Sequence, residues 1–213
     1  MHDTAILDAL PVDDLEDEDA PTAPTAMVVR MGRDLRLSRR ELERFCALNR
    51  DLRIEQEANG DLVIMAPAFS ESGEQNASLT TEVGIWARKH GGRVYDSSSG
   101  FTLPNKAMRA PDVSWISPER YEQVPKEEWK KFAKVCPDFV LELRSATDRL
   151  PKLQKKMAEY IANGARLGWL IDPLEKQVFV YRPDAPVEHL PNPATLSGEP
   201  VLAGFTLDLA RVW

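Results

Sequence analysis

The run Phe139-Val140-Leu141-Glu142-Leu143 constrains the fold more than any other part of the chain. Side chains of a strand alternate between two faces, so a nearly continuous apolar run implies a strand covered on both sides. Elements must therefore pack above and below it, as in a layered domain of sheet and helices.

The surrounding patterns supply those elements. Ser38-Arg39-Arg40-Glu41 has the form of a capping box and predicts a short helix to about Asn49. Leu52 to Glu55 and Leu62 to Met65 flank Asn59-Gly60, which predicts a hairpin. Ser70 to His90 reads as a helix with Leu79, Val83 and Trp86 on one face, stopped by Gly91-Gly92. Arg93 to Tyr95 and Gly100 to Leu103 are strand candidates joined by a Ser-rich turn, and Pro111 to Ser117 is a further strand. Glu119 to Ala133 is a polar, partly helical insertion. Pro151 suits the first turn of a helix that ends at Asn163-Gly164. Gly168 to Asp172 and Val178 to Arg182 form two strands, and a short one lies between Val201 and Trp213. The expected class is α/β with α+β character: a central mixed β-sheet flanked by helices, preceded by a helix and a β-hairpin.

Charge is unevenly spread. Residues 1–29 hold eight carboxylates and no Lys or Arg, so they account for the net −7 and leave the remainder near +1. Residues 1–26, acidic and then Pro/Thr/Ala-rich, read as a flexible leader, and residues 27–213 as the folded domain. The near-neutral body means that a nucleic-acid partner would need a local basic face. The lysines of the insertion, Lys126, Lys130, Lys131 and Lys134, are the local candidate. No apolar run is long enough to span a membrane and no secretory signal opens the chain, so a cytoplasmic location is expected. Cys46 and Cys136 form no metal-binding pair and read as reduced thiols.

The chemistry is carried by acidic residues on two strands. Asp112, Ser114 and Ile116 share one face of their strand, and Asp138, Val140 and Glu142 one face of theirs. If the strands are neighbours, Asp112 and Glu142 converge. Two carboxylates about 4 Å apart repel by roughly 4 kcal/mol at an effective dielectric near 20, which a proton, a base or a cation must relieve. Oxygen-only ligands with room for water suit Mg²⁺ or Mn²⁺. Glu142 is followed two residues later by Arg144, which stays charged and cannot act as a base. The next helix offers Lys152, Lys155 and Lys156. With Leu150, Leu153, Met157, Tyr160 and Ile161 as its buried stripe, Lys156 flanks that face and the other two point away. Pro137-Asp138, a second Pro-Asp pair, reads as a structural feature of a strand entry. Trp86, Trp115 and Trp169 read as core, His90 as a helix-end residue, and His189 as part of a Pro-rich loop.

From Arg53 onward the sequence resembles the Uma-type restriction endonuclease family of bacteria, within the PD-(D/E)xK nuclease superfamily. The resemblance rests on Arg109-Ala110-Pro111-Asp112-Val113-Ser114-Trp115, on Pro137-Asp138-Phe139-Val140-Leu141-Glu142-Leu143-Arg144-Ser145, and on Lys156-Met157-Ala158-Glu159-Tyr160-Ile161. Gly168-Trp169-Leu170-Ile171-Asp172-Pro173 and Gly204-Phe205-Thr206-Leu207-Asp208-Leu209 complete it, over roughly residues 35–213. The resemblance implies a restriction-endonuclease-like core and a metal-dependent endonuclease hydrolysing DNA phosphodiester bonds. Asp112 and Glu142 would hold Mg²⁺ or Mn²⁺, and Lys156 would stabilise charge. Glu55 matches an acidic position of the first hairpin and is a further candidate. Arg144 stands where the superfamily has a lysine, so a catalytically inactive nuclease-fold module for nucleic-acid binding or self-association is the alternative. DNA is the expected partner. A homodimer is compatible with it, because enzymes that cut both strands often work as symmetric dimers.

Overall fold

Three β-sheets, one of them a two-stranded ladder near the C-terminal end, and four α-helices are laid out in a computed structural model that describes residues 26–32, 35–210 and 212–213. The leader predicted for residues 1–26 lies outside the described residues, apart from Ala26.

Strand β1 (Ala26–Val29) precedes α1 (Arg39–Leu48). The capping box starts α1 as expected: Ser38 Oγ accepts from Glu41 N at 3.4 Å, and a Glu41 side-chain oxygen accepts from Ser38 N at 2.8 Å. β2 (Arg53–Gln56) and β3 (Leu62–Met65) form the hairpin in the register Ile54↔Ile64. Gly60, at φ +99°, makes the return that a residue with a Cβ would resist. α2 (Ser70–His90) stops where Gly91 turns to φ +86°.

β4 (Arg93–Asp96), β5 (Phe101–Thr102), β6 (Met108–Arg109) and β7 (Val113–Ile116) follow. The insertion holds α3 (Pro118–Gln123) and a 3-10 turn at Glu128–Lys130. β8 (Phe139–Leu143), α4 (Leu150–Ala162) and β9 (Leu167–Asp172) form a strand-helix-strand unit. β10 (Gln177–Tyr181), β11 (Glu188–Pro191), β12 (Thr195–Ser197) and β13 (Thr206–Asp208) complete the order.

The larger sheet runs β11-β10-β9-β8-β7-β4, and only β8 and β9 are parallel. It is the mixed sheet expected from the sequence. Every residue of β8 and β9 is buried, as the apolar run of β8 requires. Leu141, Trp169 and Ile171 join Leu79, Val83 and Trp86 of α2 and the late residues Leu202, Phe205 and Leu207. Val140 and Leu170 join Met157 and Tyr160 of α4. The smaller sheet, β1-β3-β2-β6-β5, is antiparallel, with α1 packed on it through Leu42.

One feature extends the sequence reading and one differs from it. β4 and β5 do not pair with each other: β4 pairs with β7 in the larger sheet, and β5 with β6 in the smaller. The Ser-rich turn between them is a crossing from one sheet to the other. His189, expected in a loop, lies in edge strand β11, where its ring stacks on Phe179 at 4.7 Å. Among the described residues no helix is long and apolar enough to cross a membrane.

Candidate active site

β7 and β8 are antiparallel neighbours in the register Val113↔Leu141. One step further along that register, Asp112 lies across from Glu142, and residues directly opposite share a face. The convergence anticipated from strand alternation is present. Asp112 Oδ2 accepts from Leu143 N at 2.9 Å. Its Oδ1 accepts no hydrogen bond among the described residues, and the side chain lines a cavity of about 370 Å³.

Helix α4 crosses the same face. Met157 and Tyr160 point into the core, Lys152 and Lys155 are exposed, and Lys156 reaches the strand ends. Its Nζ lies 2.9 Å from Glu142 Oε1 and 2.9 Å from Glu55 Oε1. One turn on, Tyr160 Oη donates to Glu142 Oε1 at 3.0 Å. The four residues singled out from the sequence, Glu55, Asp112, Glu142 and Lys156, thus line one cavity.

Further contacts complete the cluster. Glu55, delivered by β2 of the smaller sheet, accepts from Ala110 N at 2.9 Å and from Arg109 Nη1 at 3.1 Å. Arg109 also donates through Nε to Glu159 at 2.6 Å, and Asn105 donates to the other Glu159 oxygen at 2.8 Å. Arg109, Glu159 and the Tyr160 hydroxyl were not marked by period or spacing. Arg109 and Glu159 stand in the segments that carry the resemblance, but their pairing depends on how α4 meets β6.

The electrostatics follow from burial and pairing. Burial pushes Glu142 up to about 8, and the charges of Asp112 and Glu55 add to the rise, more than Lys156 offsets. Burial also raises Asp112, against the pull of the Leu143 N–H and Lys156. For Glu55 burial works in the same direction, but Lys156 and Arg109 outweigh it and hold the carboxyl below its usual range. Burial opposes charge on Lys156, yet Glu142 and Glu55 keep its pKa above the ordinary lysine value. Lys156 is therefore a charged donor and not a base. At the bottom of the cavity Glu55, Asp112, Glu142 and Glu159 gather around Arg109 and Lys156, and the charges of Arg53 and Asp148 also reach Asp112.

Arg144, at the position where a lysine is expected, turns away. It donates to Asp172 Oδ2 at 2.7 Å and to the Asp148 carbonyl at 3.3 Å, and it does not line the cavity. The insertion lysines Lys126, Lys130, Lys131 and Lys134 do not line it either. The exposed cations that do are Arg149, Lys152 and Lys155.

A mixed sheet held between helices, with acidic residues at the ends of adjacent strands and a lysine from the following helix, defines a restriction-endonuclease-like domain. Residues 39–210 match the Uma2 family, described as "Putative restriction endonuclease", and the chain belongs to that family. A crystal structure described as "a putative nuclease belonging to DUF820" from Anabaena variabilis ATCC 29413 shares the fold. Its TM-score is 0.61 at 22% identity, covering 75% of this chain and 88% of that one. The DrdV-DNA complex aligns at a TM-score of 0.38 and 14% identity, over 57% of this chain and 10% of that one. No curated protein sequence matches the chain significantly.

Proposed function

We propose that this chain is a metal-dependent endonuclease that hydrolyses DNA phosphodiester bonds, with residues 27–213 as its nuclease domain. One observation carries the reading: Asp112 and Glu142, thirty residues apart in sequence, meet across a strand pair beside Lys156 in a solvent-connected cavity. Membership of the family supports it.

The donor set fits a hard divalent cation. Among the described residues no group of three or more His, Cys, Asp or Glu side chains is arranged to hold a metal ion. Mg²⁺, however, commonly takes one or two carboxylates and fills its other positions with water and substrate phosphate. Asp112 has an oxygen without a protein partner among the described residues, and Asp112 and Glu55 add negative potential at the buried Glu142 that a cation would lower. Asp112 and Glu142 would hold Mg²⁺ or Mn²⁺. When bound, such an ion polarises a phosphodiester and lowers the pKa of a coordinated water.

The protein groups do the rest. Lys156, kept protonated by its two glutamates, places positive charge where the phosphate becomes more negative. Tyr160 fixes the orientation of Glu142. Both Glu55 oxygens are committed, one to Ala110 N and Lys156 and the other to Arg109. Glu142 also meets donors at both oxygens, Lys156 and Tyr160, but Glu55 is in addition fixed by a backbone N–H and a second cation, so it is cast as a positioning residue for Lys156.

The test is nicking of supercoiled plasmid with Mg²⁺ or Mn²⁺ by wild type, Asp112→Ala and Glu142→Ala. Cutting by wild type alone is expected, and equal cutting by all three defeats the assignment. The contacts of Lys156 with both Glu142 oxygens favour a second reading, a self-neutralised module that binds without cutting. That reading requires no heat of Mn²⁺ binding in a calorimetric titration; a wild-type signal lost in Asp112→Ala excludes it.

A further inference from the structure

The cavity holds more than the acidic cluster. Arg149 at the N-cap of α4, with Lys152 and Lys155 of its first half, lines it, all three exposed and without a side-chain partner among the described residues. At about 100° per residue Lys152 lies roughly 40° round the helix from Lys156 and Lys155 roughly 100°, so the cations spread from Lys156 toward the solvent side. The first turn of α4 contains no acidic residue, so no charge on that turn neutralises them. A cationic flank therefore leads from solvent to Lys156.

Another element supplies an apolar lining. Met65 to Phe69 leave β3 and enter α2, and Phe69 is 64% exposed at the N-cap of that helix. An aromatic is a poor choice there: it makes no capping hydrogen bond, where Ser, Thr, Asp or Asn would. It also buries little surface. Neither local structure nor packing accounts for an aromatic at this position.

The depth of the site limits what can reach it. Glu55 and Glu142 are 2% and 4% exposed, and Lys156 closes over both. A volume of about 370 Å³ falls at the small end of the roughly 300–1,000 Å³ that holds one small ligand. A nucleotide-sized group fits, and a strand free to bend follows its phosphate down to these oxygens more readily than a rigid duplex does. Cations that track a backbone, combined with an aromatic platform for a base, are the parts used to bind single strands.

We infer that the strand engaged here is unpaired DNA, with phosphates running along Arg149, Lys152 and Lys155 and a base stacked on Phe69. The inference rests on the nuclease reading above and adds its substrate class. Binding is measured by fluorescence anisotropy with the Asp112→Asn protein in EDTA. The probes are a labelled 15-nucleotide strand without self-complementarity and the blunt duplex of the same sequence. The single strand should bind at least about tenfold more tightly. Phe69→Ala should cost about fivefold or more on the single strand and leave the duplex unchanged, while Phe69→Trp retains the affinity. Arg149→Ala with Lys152→Ala should make the dependence of log K on log salt shallower by roughly 0.7 per lost phosphate contact. Equal or tighter duplex binding, or a Phe69→Ala protein that binds like its parent, overturns the inference.

Cleavage by wild type with Mn²⁺ separates the two claims. A retained single-strand preference with no cutting of any DNA refutes hydrolysis and upholds the strand preference. Equal binding and equal cutting of both forms refutes the preference and leaves hydrolysis standing.

Discussion

Two Pro-Asp pairs stand just ahead of neighbouring antiparallel strands, so Asp112 and Asp138 mark opposite ends of one ladder. Asp138 is saturated. Its Oδ2 accepts from Ser117 N at 2.8 Å, and its Oδ1 meets Arg120 Nε at 3.2 Å and Arg166 Nη1 at 3.7 Å. Asp112 has one oxygen tied to Leu143 N, and the other faces no donor among the described residues. The dipeptide is the same, but one carboxylate is spent on holding the chain together and the other is left with capacity to bind. Availability, rather than residue type or burial, separates the two.

The contrast can be broken most sharply at Asp112. Asp112→Asn keeps an acceptor for Leu143 N–H, so urea unfolding should be close to wild type. Plasmid nicking should nevertheless fall by about 10³-fold or more, roughly 4 kcal/mol of transition-state stabilisation. More than a tenth of the activity surviving would erase the distinction. Asp138→Ala should do the reverse, costing about 2–3 kcal/mol of stability in urea melts because the buried Ser117 N–H loses its acceptor. Arg120→Ala removes a pairing to Asp138 and hydrogen bonds to the carbonyls of Cys136 and Gly164. It should cost about 1.5–3 kcal/mol on the same assay. Arg166, half exposed and at 3.7 Å, should cost no more than about 1 kcal/mol when replaced by Ala.

The mildest probe is chemical. Burial pushes the Cys136 thiol up to about 12. At pH 8 only about one molecule in 10⁴ then carries the reactive thiolate. A thiol reagent should modify the less buried Cys46 first and Cys136 only as the chain opens. Faster Cys136 labelling in Asp138→Ala would report loosening at that end of the ladder, and an unchanged rate would argue that Asp138 does not hold it.

Much of this was legible before any coordinates. Alternation along β7 and β8 aligned Asp112 with Glu142, and helical phase selected Lys156 over Lys152 and Lys155. These are local rules with periods of 2 and 3.6, and they hold wherever an element is regular. The clamp of Glu55, Arg109 and Glu159 was not readable as a unit, because it joins β2, β6 and α4, whose meeting is decided by tertiary packing. The separation of β4 from β5 was hidden for the same reason: short strands choose partners by ladder and burial, and the Ser-rich turn carries no record of the choice. β11 lacks an apolar alternation altogether and exists through its ladder with β10. Lysine density drew attention to the insertion, whereas the exposed cations lining the cavity, Arg149, Lys152 and Lys155, belong to the start of α4.

The clamp also bears on how the protein can change. Glu55 belongs to the smaller sheet, and the groups it steadies belong to β6 and α4. Trimming the N-terminal hairpin, or replacing it with that of a relative, would leave Lys156 without one of its two counter-charges and Arg109 with only Glu159. The hairpin is thus not a decoration that variation can exchange freely: any successful swap must import an acid at the same spot.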